Sequence, residues 1–283
     1  MNGLPDKENN REMVELQKVP ADRLSVEQLI DRLTLFDDDL MAMVFDGNTE
    51  ATGLLLRIIL EQDDIEVISV VGQRELENPV VNGRNIRLDI AAQDRTGRAF
   101  DVEVQRNTEG AHFRRARFHS SMQDVRMLKE KQKFKELLDS YVIFITEKDT
   151  VGAGLPMYHI NRKIEETGED FSDGSRIIYV NGSYEGDDPI GKLVHDFRCK
   201  RSTDMFYEEF SKGVRHFKET EGGRKAMCEA VVAYGNQRAE EERLDTLLDS
   251  VKNLMQSMKW TADQAMTALK ISQEDRSVLA RKL

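Results

Sequence analysis

The chain has 283 residues, 33% of them charged, and a net charge of −11 at neutral pH. No apolar run approaches the ~20 residues needed to span a bilayer, and the opening MNGLPDKENNREMVELQ has no apolar signal-peptide core, so a cytoplasmic protein without a membrane partner is expected. Cys199 and Cys228 have no metal-ligand spacing, the histidines form no HExxH pattern and no GxxxxGK loop occurs, which removes zinc-site, metalloprotease and P-loop chemistry.

In chain order, residues 1–20 read as flexible, and Ser25 to Gln28 can cap a short helix. From Phe36 to Leu60 the apolar residues recur at helical spacing, with Gly47-Asn48 breaking the run into two pieces. Leu40, Met43, Val44, Leu54, Leu55, Ile58 and Ile59 would face a core. Ile65–Val71 is a short β-branched run that predicts a strand, and Glu75–Asn85 is a polar connection.

Ile86–Gln105, IRLDIAAQDRTGRAFDVEVQ, alternates apolar and polar residues on both sides of a glycine-containing turn, which predicts a β-hairpin with one buried face. A three-residue loop, Arg95-Thr96-Gly97, sets Ile90 against Val102, Ala92 against Phe100 and Leu88 against Val104. A four-residue loop would set apolar against polar residues and is rejected. In the accepted register Asp89 faces Glu103 and Arg87 faces Gln105. Two carboxylates directly opposite repel, so a positive group is expected between them.

Helical composition then runs from Ala111 to Leu138, followed by the continuous apolar run YVIFIT at 141–146, which reads as a strand buried on both faces. Met157–Thr167 predicts a helix or a strand-and-helix passage. Arg176–Val180 is a strand, Asp188-Pro189 opens a helix to about Cys199, and Thr203–Lys218 is another helix. Arg224–Lys259 carries an apolar stripe (Leu244, Leu247, Leu248, Val251, Leu254, Met255, Met258) that serves either a partner helix or packing within the chain. Capping signals at Thr261 and Ser272 predict two short helices at the end.

Asp89, Glu103 and Gln105 project from the polar face of the hairpin. Carboxylates spaced in this way suit a hard cation such as Mg²⁺, although a solvated sheet face has the same composition. The segment 98–135 holds ten Lys or Arg and five Asp or Glu, a local charge of +5 in an acidic chain. Arg115, His119 and Gln123 share one helix face. Cations for a phosphate backbone beside carboxylates for a metal are what phosphodiester cleavage needs.

These residues meet a known pattern. The order helix, three strands, helix, strand, with Asp on the second strand and Glu-X-Gln on the third, resembles the PD-(D/E)XK nuclease superfamily. Within it, DDDLMAMVFDGN (37–48), the hairpin (86–105), RRARFHSSM (114–122) and YVIFITE (141–147) are similar to the Rpn-type group, also labelled PD-(D/E)XK nuclease family transposases or recombination-promoting nucleases. LPMYHINRKIEETGEDFSDGSRIIYVNGSYEGDDPIGKLVHDFRC (155–199) and LLDSVKNLMQSMKW (247–260) extend the likeness.

The resemblance implies an α/β fold: a restriction-endonuclease-like αβββαβ core with a mixed central sheet, followed by a C-terminal helical region. The expected division is a flexible N-terminus (1–20), a nuclease-like domain (21–222) and a helical tail (223–283) for oligomerisation or DNA contact. The implied activity is metal-dependent DNA endonuclease, linked to recombination or mobile elements. Asp89 and Glu103 would hold Mg²⁺, or Mn²⁺ in its place, with the Val104 carbonyl as a third ligand and Asp39 as an acidic helper. Arg115 matches a basic position, and Arg87, Arg114 and Arg117 join it as candidate DNA contacts. Two positions depart from the named motif: Leu88 stands where it has proline, and Gln105 where it has lysine. Losing the lysine removes a cation from the site, which keeps a second reading open: a nuclease-fold DNA-binding or interaction protein that cuts weakly or not at all.

Overall fold

The computed structural model describes residues 24–80 and 83–283; the expected flexible stretch 1–20 lies outside them. Among the described residues, α1 (Val26–Arg32), α2 (Asp38–Phe45) and α3 (Thr49–Leu60) precede β1 (Val67–Leu76), β2 (Ile86–Asp94) and β3 (Ala99–Gln105). Next come α4 (Phe113–Met127), β4 (Ser140–Thr146), β5 (Met157–Ile160) and β6 (Ser175–Asn181). The chain closes with α5 (Pro189–Arg198), α6 (Glu208–Glu219), α7 (Glu221–Met258), α8 (Ala262–Ala268) and α9 (Gln273–Leu279). This is the expected α/β architecture with a C-terminal helical region.

The sheet order is β1-β2-β3-β4-β6-β5. The pairs β1–β2, β2–β3 and β5–β6 are antiparallel, while β3–β4 and β4–β6 are parallel. Helix α4 supplies the crossover that a parallel β3–β4 pair requires. β4 is buried along its whole length, as its unbroken apolar run predicts.

One sheet face packs on α2, α3, α5, α6 and the start of α7. Phe100, Val102 and Val104 of β3 join Leu40, Leu55, Phe197, Phe210 and Met227 in that core. The other face meets α4, with Val142, Phe144 and Tyr179 beside Ala111 and Ala116. The hairpin therefore has two covered faces, not one. Its acidic face is roofed by a helix.

Several local expectations change for physical reasons. β1 continues to Leu76 because pairing of Glu75 with Arg87 and Leu76 with Ile86 carries the polar stretch into the ladder. α4 stops at Met127, short of Leu138, where the chain turns back toward β4. The passage after Met157 is a strand without a helix, and the helix expected at Thr203 divides into a 3₁₀ turn at Ser202–Asp204 and α6. α7 begins at Glu221 and includes Gly222 and Gly223.

The two halves of α7 serve different cores. Met227 and Val231 belong to the main one. Leu248 and Val251 form a separate cluster with Ala265, Met266, Ile271 and Leu279 of the α8–α9 region. Leu244, Leu247, Leu254 and Met255 pack on that cluster, so the chain itself covers the apolar stripe up to Met258, which stays exposed. Among the described residues, no helix is long and apolar enough to cross a membrane.

Candidate active site

The β2–β3 ladder pairs Ile90 with Val102, Ala91 with Asp101, Ala92 with Phe100 and Gln93 with Ala99. This is the register that the three-residue loop dictates, and Gly97 takes the left-handed φ of 90° that the loop needs. Below Ile90 the expected pairing does not continue. Carboxylates replace carbonyls as partners there: the Asp89 amide donates to Glu103 Oε1 at 3.1 Å, and the Val104 amide donates to Asp89 Oδ2 at 3.0 Å.

Asp89 also marks a change of face. Ile90 and Ala92 lie in the main core, whereas Ile86 and Leu88, which share their parity, pack with Leu76, Ala91 and Met122 under α4. On β1, Gln73, flanked by the residues paired with Leu88 and Ile90, has a left-handed φ of 52°. The expected single apolar face of β2 is thus two half-faces joined at Asp89.

Asp101 and Glu103 point the other way from Phe100, Val102 and Val104, into the layer under α4. Both are 0% exposed, and His119 beside them is 1% exposed. The positive group expected between Asp89 and Glu103 meets only one of them: Arg115 pairs with Glu103 Oε2 and donates to the Gly110 carbonyl at 2.9 Å. Its Nε donates to His119 Nε2 at 3.3 Å. A guanidinium only donates, so His119 Nε2 accepts and Nδ1 carries the proton toward Asp101 Oδ2, 2.8 Å away. Burial lowers the His119 pKa and keeps the ring neutral. Asp101, His119, Arg115 and Glu103 therefore form one connected chain. The shared helix face of Arg115, His119 and Gln123 is as expected, and Gln123 donates to the Tyr141 carbonyl at 3.3 Å.

Burial, then the Glu103 charge, pushes the Asp89 carboxyl well above the usual carboxylate range, against the pull of the Val104 amide. Burial and the Asp101 charge do the same to Glu103, and burial above all does so to Asp101. Three buried carboxylates share one guanidinium, and Asp101 Oδ1 has no hydrogen-bond partner in the structure. This donor set fits a divalent cation. Asp101, Glu103 and His119 hold ligand atoms within 4.8 Å of one another. His119 is the poorer donor, because its Nδ1 proton is committed to Asp101. Asp89 and Glu103 offer hard oxygens, and Asp89 opens onto a cleft.

That cleft, about 1240 Å³, is lined by Asp89, Gln105 and all four arginines singled out in the sequence, Arg87, Arg114, Arg115 and Arg117. Gln105 sits against Gly110, where an added Cβ would stand 2.1 Å from Gln105 Oε1. Its amide nitrogen is 3.4 Å from Asp89 Oδ2. Of the α2 acids, Asp38 lines the cleft and Asp39 does not. Burial followed by the Asp38 charge raises Asp39 to about 6.

Residues 45–182 match the family described as PD-(D/E)XK nuclease family transposase. This segment, just under half of the chain, is similar to that nuclease family. No curated protein and no solved structure gave a significant match. The nuclease-family segment runs from the end of α2 to the residue after β6. It contains Asp89, Glu103, Gln105 and Arg115, and also Asp101 and His119, which the sequence reading did not select. Asp101 could have been found from parity alone, since it shares a strand face with Glu103. Helical spacing puts His119 on this face, but its role comes only from its contacts with Arg115 and Asp101.

Proposed function

We propose that this cleft hydrolyses DNA phosphodiester bonds, with the chain acting as a metal-dependent endonuclease in recombination or mobile-element processing. Mg²⁺, or Mn²⁺ in its place, would be held by Asp89 and Glu103, with the Val104 carbonyl as a third ligand. The observation that carries this reading is the excess of buried carboxylate at the wall of an arginine-lined cleft. Unpaired buried charge is strongly unfavourable unless a cation or proton answers it. A bound divalent ion would supply neutralising charge for the phosphate and lower the pKa of an attacking water.

The chain's own groups do the rest. Arg87, Arg114 and Arg117 offer guanidinium forks to backbone phosphates on either side of the scissile bond. Gln105, wedged between Asp89 and Gly110, holds a water or a phosphate oxygen by its amide but brings no charge. Arg115, reaching in from α4, brings the charge that a lysine at position 105 would have brought. Asp101 and His119 keep Arg115 aimed, through a neutral imidazole whose tautomer is determined at both nitrogens.

Purified protein should nick supercoiled plasmid in Mg²⁺, and Asp89→Ala and Glu103→Ala should fall to background. Parental cutting by both variants would overturn the assignment. The absence of a cation at position 105 favours a second reading, a DNA-binding scaffold without turnover. It predicts DNA binding with no metal-dependent cutting. Calorimetric titration with Mn²⁺ separates the two, because only the nuclease reading requires a site that disappears in Asp89→Asn.

A further inference from the structure

The family-matched segment ends at residue 182, but the cleft does not. Its far wall is built by α7, through Tyr234, Gln237, Arg238 and Glu241. The Tyr234 hydroxyl donates to Asp38 Oδ2 at 2.8 Å, and Arg238 Nη2 donates to the same oxygen at 2.8 Å. The Arg238 guanidinium lies 4.6 Å from the Tyr234 ring centroid, and that of Arg87 lies 6.0 Å from it. One aromatic ring thus joins a cation from β2 and a cation from α7 across the cleft.

We propose that Arg87, Tyr234 and Arg238 form one phosphate-holding unit that positions a DNA strand against Asp89 and Glu103. Arg238 and Tyr234 are then substrate-positioning residues contributed from outside the family-matched segment. The inference rests on the cleft being a DNA site.

Three features support it. The main core already anchors α7 through Met227 and Val231, so the contacts at Tyr234 and Arg238 are additional to what holds the helix. The Arg238–Asp38 pair is open to solvent, its side chains 59% and 33% exposed, and a pair of that kind is weak enough for a phosphate to replace the carboxylate. The ring face keeps each guanidinium oriented, which lowers the entropy lost on gripping a phosphate; Arg238 Nη2 is engaged with Asp38 Oδ2 and with the Tyr234 hydroxyl at 3.1 Å. Asp38 occupies Arg238 until an incoming strand supplies a better anion.

The test is binding of a short labelled DNA duplex across a salt series, with Ca²⁺ replacing Mg²⁺, followed by steady-state cleavage in Mg²⁺. Arg238→Ala should lower the slope of log affinity against log salt by about one and weaken binding roughly three- to tenfold. It should raise KM without lowering kcat. Arg238→Lys should keep the slope, and Tyr234→Ala should bind more weakly than the parent. Asp38→Asn, which breaks the same tie, should bind at least as tightly as the parent. A purely structural tie would instead make Asp38→Asn and Arg238→Ala equally weak. A parental slope and affinity in Arg238→Ala, with the parental melting temperature, overturns the proposal. If the parent shows the Arg238-dependent slope but never cuts, the nuclease reading fails and this one stands. If the parent cuts and Arg238→Ala binds and cuts equally well, this one fails and the nuclease reading stands.

Discussion

Asp94 and Asp89 sit five residues apart on the same strand, and both are buried, yet the fold treats their charges in opposite ways. Asp94 Oδ1 accepts from the Thr96 amide at 3.0 Å, the Thr96 hydroxyl at 2.8 Å and the Arg98 amide at 2.9 Å. Its Oδ2 pairs with Arg98 Nε at 2.6 Å. Burial alone would raise the Asp94 pKa, but these donors and the Arg98 charge outweigh it and hold the carboxyl below its ordinary value. Asp89 has one backbone donor and a distant amide, with Glu103 as its charged neighbour. Burial by itself does not distinguish a structural acid from a functional one. The number and sign of the partners do. Asp94 closes a turn, whereas Asp89 holds a charge that the protein chain leaves uncompensated.

Substitution of the two aspartates should separate these roles. Asp89→Asn should abolish Mg²⁺-dependent nicking, yet leave metal-free stability in urea unchanged or raised, because it removes like-charge crowding and keeps an acceptor for the Val104 amide. Asp94→Asn should keep the cleavage chemistry and cost about 1.5–3 kcal/mol of stability, the range for hydrogen bonds to a charged group. If Asp89→Asn proves the more destabilising of the two in urea, the contrast is wrong.

A smaller effect on activity is expected at Gly110. A methyl there displaces the Gln105 amide and disturbs the carbonyl that holds Arg115, so Gly110→Ala should reduce kcat by up to about a hundredfold, the scale of an ångström-sized misplacement. Wild-type turnover in Gly110→Ala would show that Gln105 need not stay where it is.

The smallest signal is the pH dependence. Because the folded-state pKa of Asp94 is depressed, its contribution is fully present above the unfolded value of about 4 and is lost as pH falls through the lower folded value. The gap in urea midpoint between parent and Asp94→Asn should therefore be constant near neutrality and close in acid. A gap that persists below the folded-state pKa would show that the Asp94 charge is not what stabilises the turn.

Much of the hairpin was legible from its residues. Loop length and side-chain parity are local properties, and they put Ile90 against Val102 and Ala92 against Phe100 without any knowledge of the rest of the chain. Parity also asked for a positive group between Asp89 and Glu103, and the helix after the hairpin contains Arg115, which pairs with Glu103. What parity could not decide was which face is wet. The polar face of β3 is dry because α4 lies over it, and Asp101 meets His119 across 18 residues of chain. The switch of β2 between two cores lies beside a left-handed residue in β1, Gln73, which no alternation rule reveals.

Local sequence already carries most of the element order, the turn at Gly97, the register of the strands above Asp89 and the candidacy of Asp89, Glu103, Gln105 and the arginines. These follow from dihedral preference and from periodicity over a few residues. Packing between distant segments buries the carboxylates, sets Arg115 rather than a residue on their own strand against Glu103, and turns Asp38 rather than Asp39 toward the cleft. It also brings Tyr234 to Asp38 from 196 residues away. Burial, charge compensation and cleft walls are relations between segments far apart in the chain. Their energies depend on what the packed chain places within a few ångströms, not on what lies next along it.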